Sequence, residues 1–246
     1  MQRSLAIITG GTKGIGFGIA SELGSKYDLA LSYLSDTTTA TKAVEELKVL
    51  YPGIRVQAFQ MDLTNFESIK KTYREIKELF NCTVSILVNN AGKTSQSLVL
   101  TETIESYEEL IYLNFLGPVY LSKLACADMA RANFGRIINI SSSAVNSSGK
   151  GLSAYSSSKC ALEMFSNTLA GEVAKYNITV NIVRPGLIET SMTNKLIKLN
   201  SELPDKNKFL DSAGSLTEIS SVASTVHFLI DSPQISRASI VVNCGN

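Results

Sequence analysis

Short apolar runs alternate with longer amphipathic stretches from one end of the chain to the other. The runs "SLAIIT" (4–9), "LALSYL" (29–34), "IRVQAFQ" (54–60), "VSILVNN" (84–90), "GRIINIS" (135–141), "ITVNIV" (178–183) and "SIVVN" (239–243) are rich in Val, Ile and Leu. Near-continuous apolar runs of this length suit strands covered on both faces, as in a parallel sheet. Helical spacing predicts helices near 15–26, 38–51, 65–80, 104–131, 153–176 and 218–231. In the third, Asn65 stands at the capping position and Ile69, Tyr73, Ile76 and Phe80 fall on one face. Seven strands alternating with six helices predict a single α/β domain over residues 1–246, with a doubly wound parallel sheet and helices on both faces. Only 187–217 breaks the rhythm. It follows a strand and forms no single clean element, as expected of a segment covering a ligand site; the other reading is a disordered surface loop.

Charge narrows the picture. Against 22 Asp+Glu stand 23 Lys+Arg, a formal net charge of +1. No basic stripe points to nucleic acid, and no acidic tail to a solvating arm. The chain opens directly into an apolar strand without a signal-peptide pattern, and no apolar run approaches the ~18 residues of a membrane span. A cytoplasmic protein away from membranes is therefore expected. The cysteines Cys82, Cys126, Cys160 and Cys244 are scattered and form no C-x-x-C pair, which reads as isolated reduced thiols. Cys160 reads as a space-filler, and the one histidine, His227, as a packed or partly exposed residue of an amphipathic helix. Asp and Glu form no metal-ligand cluster, so no metal is expected.

Two glycine-bearing turns carry candidate chemistry. "TGGTKGIG" (9–16) lies between the first strand and first helix, with Gly10, Gly14 and Gly16 in G-x-x-x-G-x-G spacing. Such glycines let the backbone turn sharply and approach a pyrophosphate at a helix N-terminus. A tight turn packing helix on strand is the alternative. "NNAG" (89–92) closes the fourth strand, where the sheet order should reverse and ligands collect. Then comes "SAYSSSK" (153–159). Tyr155 and Lys159, four apart on a helix, share a face with roughly 5–6 Å between Cβ atoms. A nearby ammonium favours phenolate and would lower the tyrosine's pKa toward neutrality. By itself the pair also suits an ordinary helix surface.

Taken together, "TGGTKGIG", "NNAG", Asn114, "IINISSS", Tyr155 with Lys159 and "VNIVRPG" (180–186) resemble the short-chain dehydrogenases/reductases, in the family's order over roughly residues 4–190. The resemblance implies a Rossmann-type sheet, an NAD(P)(H) oxidoreductase, and a homotetramer or dimer built on helices 104–131 and 153–176. It implies Ser142 as the hydroxyl that holds a carbonyl oxygen, with Ser141 and Ser143 one residue away on either side. Asn114 matches the asparagine that holds a relay water near the lysine; a capping or kink-stabilising role is its alternative. Lys159 would tune the phenol and bond the nicotinamide ribose. Cofactor contacts carried over in this way are Gly10, Thr12, Lys13, Gly14, Ile15, Gly16, Asp62, Leu63, Asn90, Ala91, Gly92, Tyr155, Lys159, Pro185, Gly186, Ile188 and Thr190. The position where NAD-preferring relatives carry an acid is Tyr33 here, and Asp36 lies past the strand end. Lys13 matches the basic residue of NADP-preferring relatives, with Ser32 or Ser35 beside the 2′-phosphate. NADPH/NADP+ is the expected cofactor, ahead of NADH.

Within the family the likeness is greatest to 3-oxoacyl-[acyl-carrier-protein] reductases, on "GLIETSMTNKL", overall length and the short end of strand two. That implies reduction of a β-keto acyl thioester in fatty-acid or polyketide-type synthesis, with possible docking of an acidic acyl carrier protein. The chain departs from that pattern in two places, the first bearing on carrier docking and the second on the tetramer's second interface or a specialised pathway. Asn133 and Tyr176 occupy the positions of the docking arginines, with Arg131 and Lys175 close by. The segment "AGSLTEISS" and the ending "VVNCGN" replace the usual G-R-x-x-x-P-E-E-like and V-x-G-G patterns. A dehydrogenase of another small alcohol or ketone (a sugar, steroid or diketone) is the alternative within enzymes. A non-catalytic NADP(H)-binding sensor is the alternative outside them.

Overall fold

A computed structural model of the chain describes residues 3–146, 149–188 and 216–243. The seven expected strands are present: β1 (Leu5–Ile8), β2 (Asp28–Tyr33), β3 (Val56–Gln60), β4 (Val84–Asn89), β5 (Gly135–Ile140), β6 (Ile178–Pro185) and β7 (Ser239–Val242). They form one sheet in the order β3-β2-β1-β4-β5-β6-β7, with every neighbouring pair parallel. Strand order reverses between β1 and β4, so the crevice at their carboxyl ends is where a ligand is held in such a sheet.

Between the strands run α1 (Gly14–Leu23), α2 (Thr37–Leu50), α3 (Phe66–Phe80), α4 (Ile104–Ile111), α5 (Gly117–Ala132), α6 (Ser153–Val173) and α7 (Ile219–Asp231). Successive strand side chains point to opposite faces, so each strand feeds two cores. Ala6 and Ile8 of β1 and Leu29 and Leu31 of β2 pack with Ile19, Leu23, Val226 and Leu229 of α1 and α7. Leu5, Ile7 and Ala30 pack on the other face with Ile69, Ile76, Leu121, Met129 and Val173 of α3, α5 and α6. Two buried faces explain the continuous apolar runs.

Helix ends follow local chemistry. Asn65 extends its backbone before α3, and its side chain accepts a hydrogen bond from Ser68 N at 3.0 Å. Asn81, Asn133 and Asn177 end α3, α5 and the last turn after α6 in the left-handed region, at φ 45°, 50° and 56°. Asparagine tolerates that conformation better than most residues.

The stretch 104–131 is not one regular helix. A π-helical turn, Tyr112–Leu116, separates α4 from α5. By length and composition Ile104–Ala132 is apolar enough to cross a bilayer, which corrects the sequence reading that no stretch comes near a span. Its Leu121, Ala125 and Met129 are spent on the core beneath the sheet. The segment 187–217 lies outside the described residues from 189 to 215, and Thr190 and Cys244 with it.

Candidate active site

The glycine loop and the loop after β4 are stitched together at the switch point. Thr9 Oγ1 accepts hydrogen bonds from Asn90 N at 2.9 Å and Ala91 N at 3.0 Å, while Asn90 Nδ2 donates to Thr9 O at 2.8 Å. Gly10 and Gly14 adopt φ of 61° and 55°, conformations that favour glycine. A Cβ on Gly16 would lie 2.2 Å from Gly10 O, so only glycine allows the turn to fold back on itself. Thr12 is buried inside the loop, Ile15 is half-buried, and Lys13 is exposed at its tip, immediately before α1. The first turn of α1 carries no acidic residue, which leaves its positive end open to an anion. Thr9 was not singled out from the sequence. A threonine inside an apolar strand run gives no sign that its hydroxyl joins two loops.

At the adenine side the structure redistributes the expected residues. Ser32 is engaged by the glycine loop. It is buried, and its Oγ accepts from Gly10 N at 3.2 Å, propping up the loop from below. Ser35 is exposed beyond the strand, and Tyr33 is half-buried at its end. Asp36 caps α2, taking Thr39 N at 3.0 Å and Thr39 Oγ1 at 2.7 Å. Those hydrogen bonds hold its carboxyl below the ordinary value, and the charges of Lys13 and Lys42 add to the effect. Asp62 binds Thr64 N at 2.9 Å and Thr64 Oγ1 at 2.7 Å, and Leu63 is buried against Gly117.

The proton-handling groups gather at the carboxyl end of β5. Ser142 follows the strand, and its hydroxyl hydrogen-bonds the Tyr155 phenol. Ser141 faces away and donates to Glu163 Oε1 at 2.5 Å, while Ser143 begins a 3-10 turn. Ser142 is therefore the serine of the three that meets Tyr155. Lys159 is 4 % exposed, donates to Ile140 O at 2.9 Å, and is pulled down to about 8 by burial, against a raising contribution from Glu163.

Here one expectation is corrected. Burial raises the Tyr155 phenol above its ordinary value, and the Ser142 hydrogen bond partly offsets this. The two side chains share a helix face, and the Lys159 ammonium donates a hydrogen bond to the Ile140 carbonyl and is itself disfavoured by burial.

Asn114 lies in the π turn and is fully buried. Its Oδ1 accepts from Lys93 N at 3.0 Å, and its Nδ2 donates to Lys93 O at 2.9 Å and Ser158 Oγ at 3.0 Å. The widened turn lets a helix residue pair with the loop after "NNAG", consistent with the habit of π-bulges at functional sites. A Cβ on Gly92 would approach Asn114 Oδ1 to 2.9 Å and Lys159 Nζ to 3.3 Å. The glycine thus leaves open the space in which both side chains end.

On the far side, Gly186 N donates to Val242 O at 2.8 Å, Pro185 is buried at the end of β6, and Ile188 packs its side chain into the core. A Cβ on Gly186 would come within 2.4 Å of Asn243 Oδ1, so this backbone too is closely approached.

Cys160 settles differently from expectation, while His227 is the partly exposed residue of an amphipathic helix that was expected. Cys160 is exposed and fills no core space. His227 bridges α1 and α7 through Glu22, at 2.8 Å from Nδ1. Among the described residues no group of three or more His, Cys, Asp or Glu is placed to hold a metal. The sequence reading also missed the buried pair of Glu163 with Arg184, and the polar chain in which Asn89 Nδ2 donates to Asn139 Oδ1 at 2.7 Å and Asn139 Nδ2 to Ser166 Oγ at 2.7 Å.

Comparison with known proteins agrees with this geometry. The family model described as short chain dehydrogenase matches residues 4–200. The 3-oxoacyl-[acyl-carrier-protein] reductase FabG of Haemophilus influenzae is 35 % identical, over 100 % of this chain and 98 % of that protein. Carbonyl reductase family member 4 of Xenopus laevis is 34 % identical, over 97 % of this chain and 95 % of its own length. Among solved structures, an NAD+-bound xylitol dehydrogenase superposes with a TM-score of 0.91 at 23 % identity, covering 98 % of each chain. A short chain dehydrogenase/reductase family protein superposes at 0.84 with 25 % identity, over 98 % of this chain and 97 % of that one. With a matched stretch of this length and a phenol, hydroxyl and lysine gathered at the switch-point crevice, the chain belongs to the short-chain dehydrogenase family.

Proposed function

We propose that this protein is an NADPH-dependent reductase of β-keto acyl thioesters, similar in activity to the 3-oxoacyl-[acyl-carrier-protein] reductases that it resembles. The observation that carries the reading is the Tyr155 phenol bonded by Ser142, one helical turn from a buried Lys159. The glycine cradle fits a dinucleotide, because Gly10, Gly16 and Gly92 each leave space that a Cβ would fill. A bound reduced nicotinamide supplies the hydride.

The chain's own residues do the rest. Ser142 holds the substrate carbonyl oxygen beside the phenol, and Tyr155 gives that oxygen its proton. Raised acidity is not needed for this direction. A phenol held above its ordinary value stays protonated at neutral pH, which is the form an acid catalyst requires. Lys159 bonds the ribose and returns a proton to the tyrosine, with Asn114 and its Lys93 partners shaping the route. Pro185, Gly186 and Ile188 brace the nicotinamide end. On the adenine side Asp62 and Leu63 meet the base.

Preference for NADPH rests on Lys13, exposed at the loop tip, with Ser35 exposed nearby and Lys42 adding positive charge. The FabG-type relatives at 30–35 % identity favour an acyl thioester over a sugar or steroid. An acidic carrier would meet Arg131, whose side chain is 77 % exposed even while paired with Asp128, and Lys175. A cytoplasmic location accords with this chemistry.

The test is NADPH oxidation with acetoacetyl-CoA, set beside a diketone and an oxidised sugar. Turnover of the thioester with NADPH ahead of NADH is expected. Equal or better efficiency with NADH removes the cofactor assignment. Turnover only of the diketone or sugar removes the acyl assignment, and nucleotide binding without turnover of any carbonyl removes the enzyme.

A further inference from the structure

Glu163 sits one helical turn beyond Lys159, on the same helix and with only 6 % of its surface exposed. Its carboxylate is shared among three segments of the site. Ser141, next to Ser142, donates to Oε1 at 2.5 Å. Arg184, next to Pro185 and Gly186, donates Nε to Oε1 at 2.8 Å and Nη2 to Oε2 in a bidentate pair. The turn that presents the serine, the strand end on the nicotinamide side and the helix bearing Tyr155 and Lys159 therefore meet at one carboxylate.

Other charged or titratable groups near this lysine are engaged elsewhere or exposed. On its own helix, Tyr155 is bonded by Ser142 and Cys160 is exposed. From α4, Tyr107 meets Ser153 at 2.7 Å, Glu109 pairs with Lys93 at 2.5 Å, and Glu105 and Glu108 are exposed. From α5, Lys123 is exposed, and Asp128 is taken by Lys77 and Arg131. β6 contributes Arg184 alone, already on Glu163. Glu163 is the charged group that favours the protonated lysine.

We propose that Glu163 is a positioning residue for the reaction: its carboxylate is the counter-charge that keeps Lys159 protonated, and its hydrogen bonds lock the Ser142 turn and the Arg184 strand end to α6. The inference rests on the reductase reading for the role of Lys159, and its test does not need turnover. Lysine carrying 13C at Cε reports protonation by its chemical shift, and Lys159→Met identifies the resonance. Glu163→Gln keeps the shape and removes the charge. Its Lys159 midpoint should fall by roughly one pH unit, the low end of what losing a neighbouring opposite charge does. At the wild-type midpoint the protonated fraction then drops about fivefold, and the alkaline limb of kcat/KM moves the same way. Arg184→Gln removes the competing cation and should move the midpoint upward. A packing role predicts no such pair of opposite shifts.

If Glu163→Gln fails to fold, the double variant Glu163→Gln/Arg184→Gln is read against Arg184→Gln: a lower midpoint in the double variant supports the proposal, and an equal one overturns it. Midpoints within about 0.2 units of wild type, or shifts in the same direction, overturn it. Loss of all carbonyl reduction in the wild type would overturn the proposed function and leave the lysine titration standing.

Discussion

Tyr155 shows how one side chain's role depends on the direction of the reaction. The sequence motif suggests a phenol made acidic by Lys159, yet burial raises it, with the Ser142 hydrogen bond partly offsetting the rise. As a proton donor it needs only to be protonated and aimed, and the Ser142 hydroxyl aims it. Tyr155→Phe should retain NADPH affinity within about threefold while kcat falls by roughly 10²–10⁴-fold, the range for removing a positioned acid. Fluorescence titration of bound NADPH and steady-state rates separate the two. A variant with near wild-type kcat would take the tyrosine out of the mechanism. The Tyr155–Lys159 spacing was legible because it is local to one helix, whereas Ser142 was offered only by the family resemblance. That Ser141 turns to Glu163 while Ser142 turns to the phenol was not legible, since neighbouring serines look alike until the strand's pleat assigns them to opposite sides.

At the scale of elements, strand and helix boundaries moved by a few residues at most, because apolar periodicity is strong where both faces of a sheet are covered. The third helix is the clearest case. Ile69, Tyr73, Ile76 and Phe80 are all buried, and the Asn65 cap is made. Asn65→Ala removes that cap and should cost about 1 kcal/mol in urea unfolding, with catalytic rates unchanged. A loss below about 0.3 kcal/mol would show that solvent or Ser68 replaces it. The π turn at 112–116 was not legible. One extra residue in a turn leaves almost no trace in an apolar pattern, and the turn holds Asn114 against Lys93, 21 positions earlier in the chain.

For the whole molecule, the question is what α4 and α6 meet on their outer sides. Ile104, Tyr112 and Met164 are 68 %, 42 % and 67 % exposed on the helical segments that the family resemblance assigns to subunit contacts. Large apolar side chains grouped at one face mark an interaction surface more often than scattered ones do. A dimer or tetramer is expected by light scattering, and Met164→Glu should shift it toward smaller species at micromolar concentration. An unchanged mass would move the contact to another face.

The sequence by itself determined the layering and the chemistry on offer. Apolar periodicity, turn glycines and the Tyr155–Lys159 spacing are short-range, and each is written in a few adjacent residues. Tertiary structure decided which polar groups face one another. Thr9 reaches Asn90, Ser32 props Gly10, and Glu163 gathers Ser141 and Arg184, contacts that span 21 to 81 positions. Their partners are set by sheet order and strand register. In a buried interior a polar group must find whatever partner that packing brings within reach.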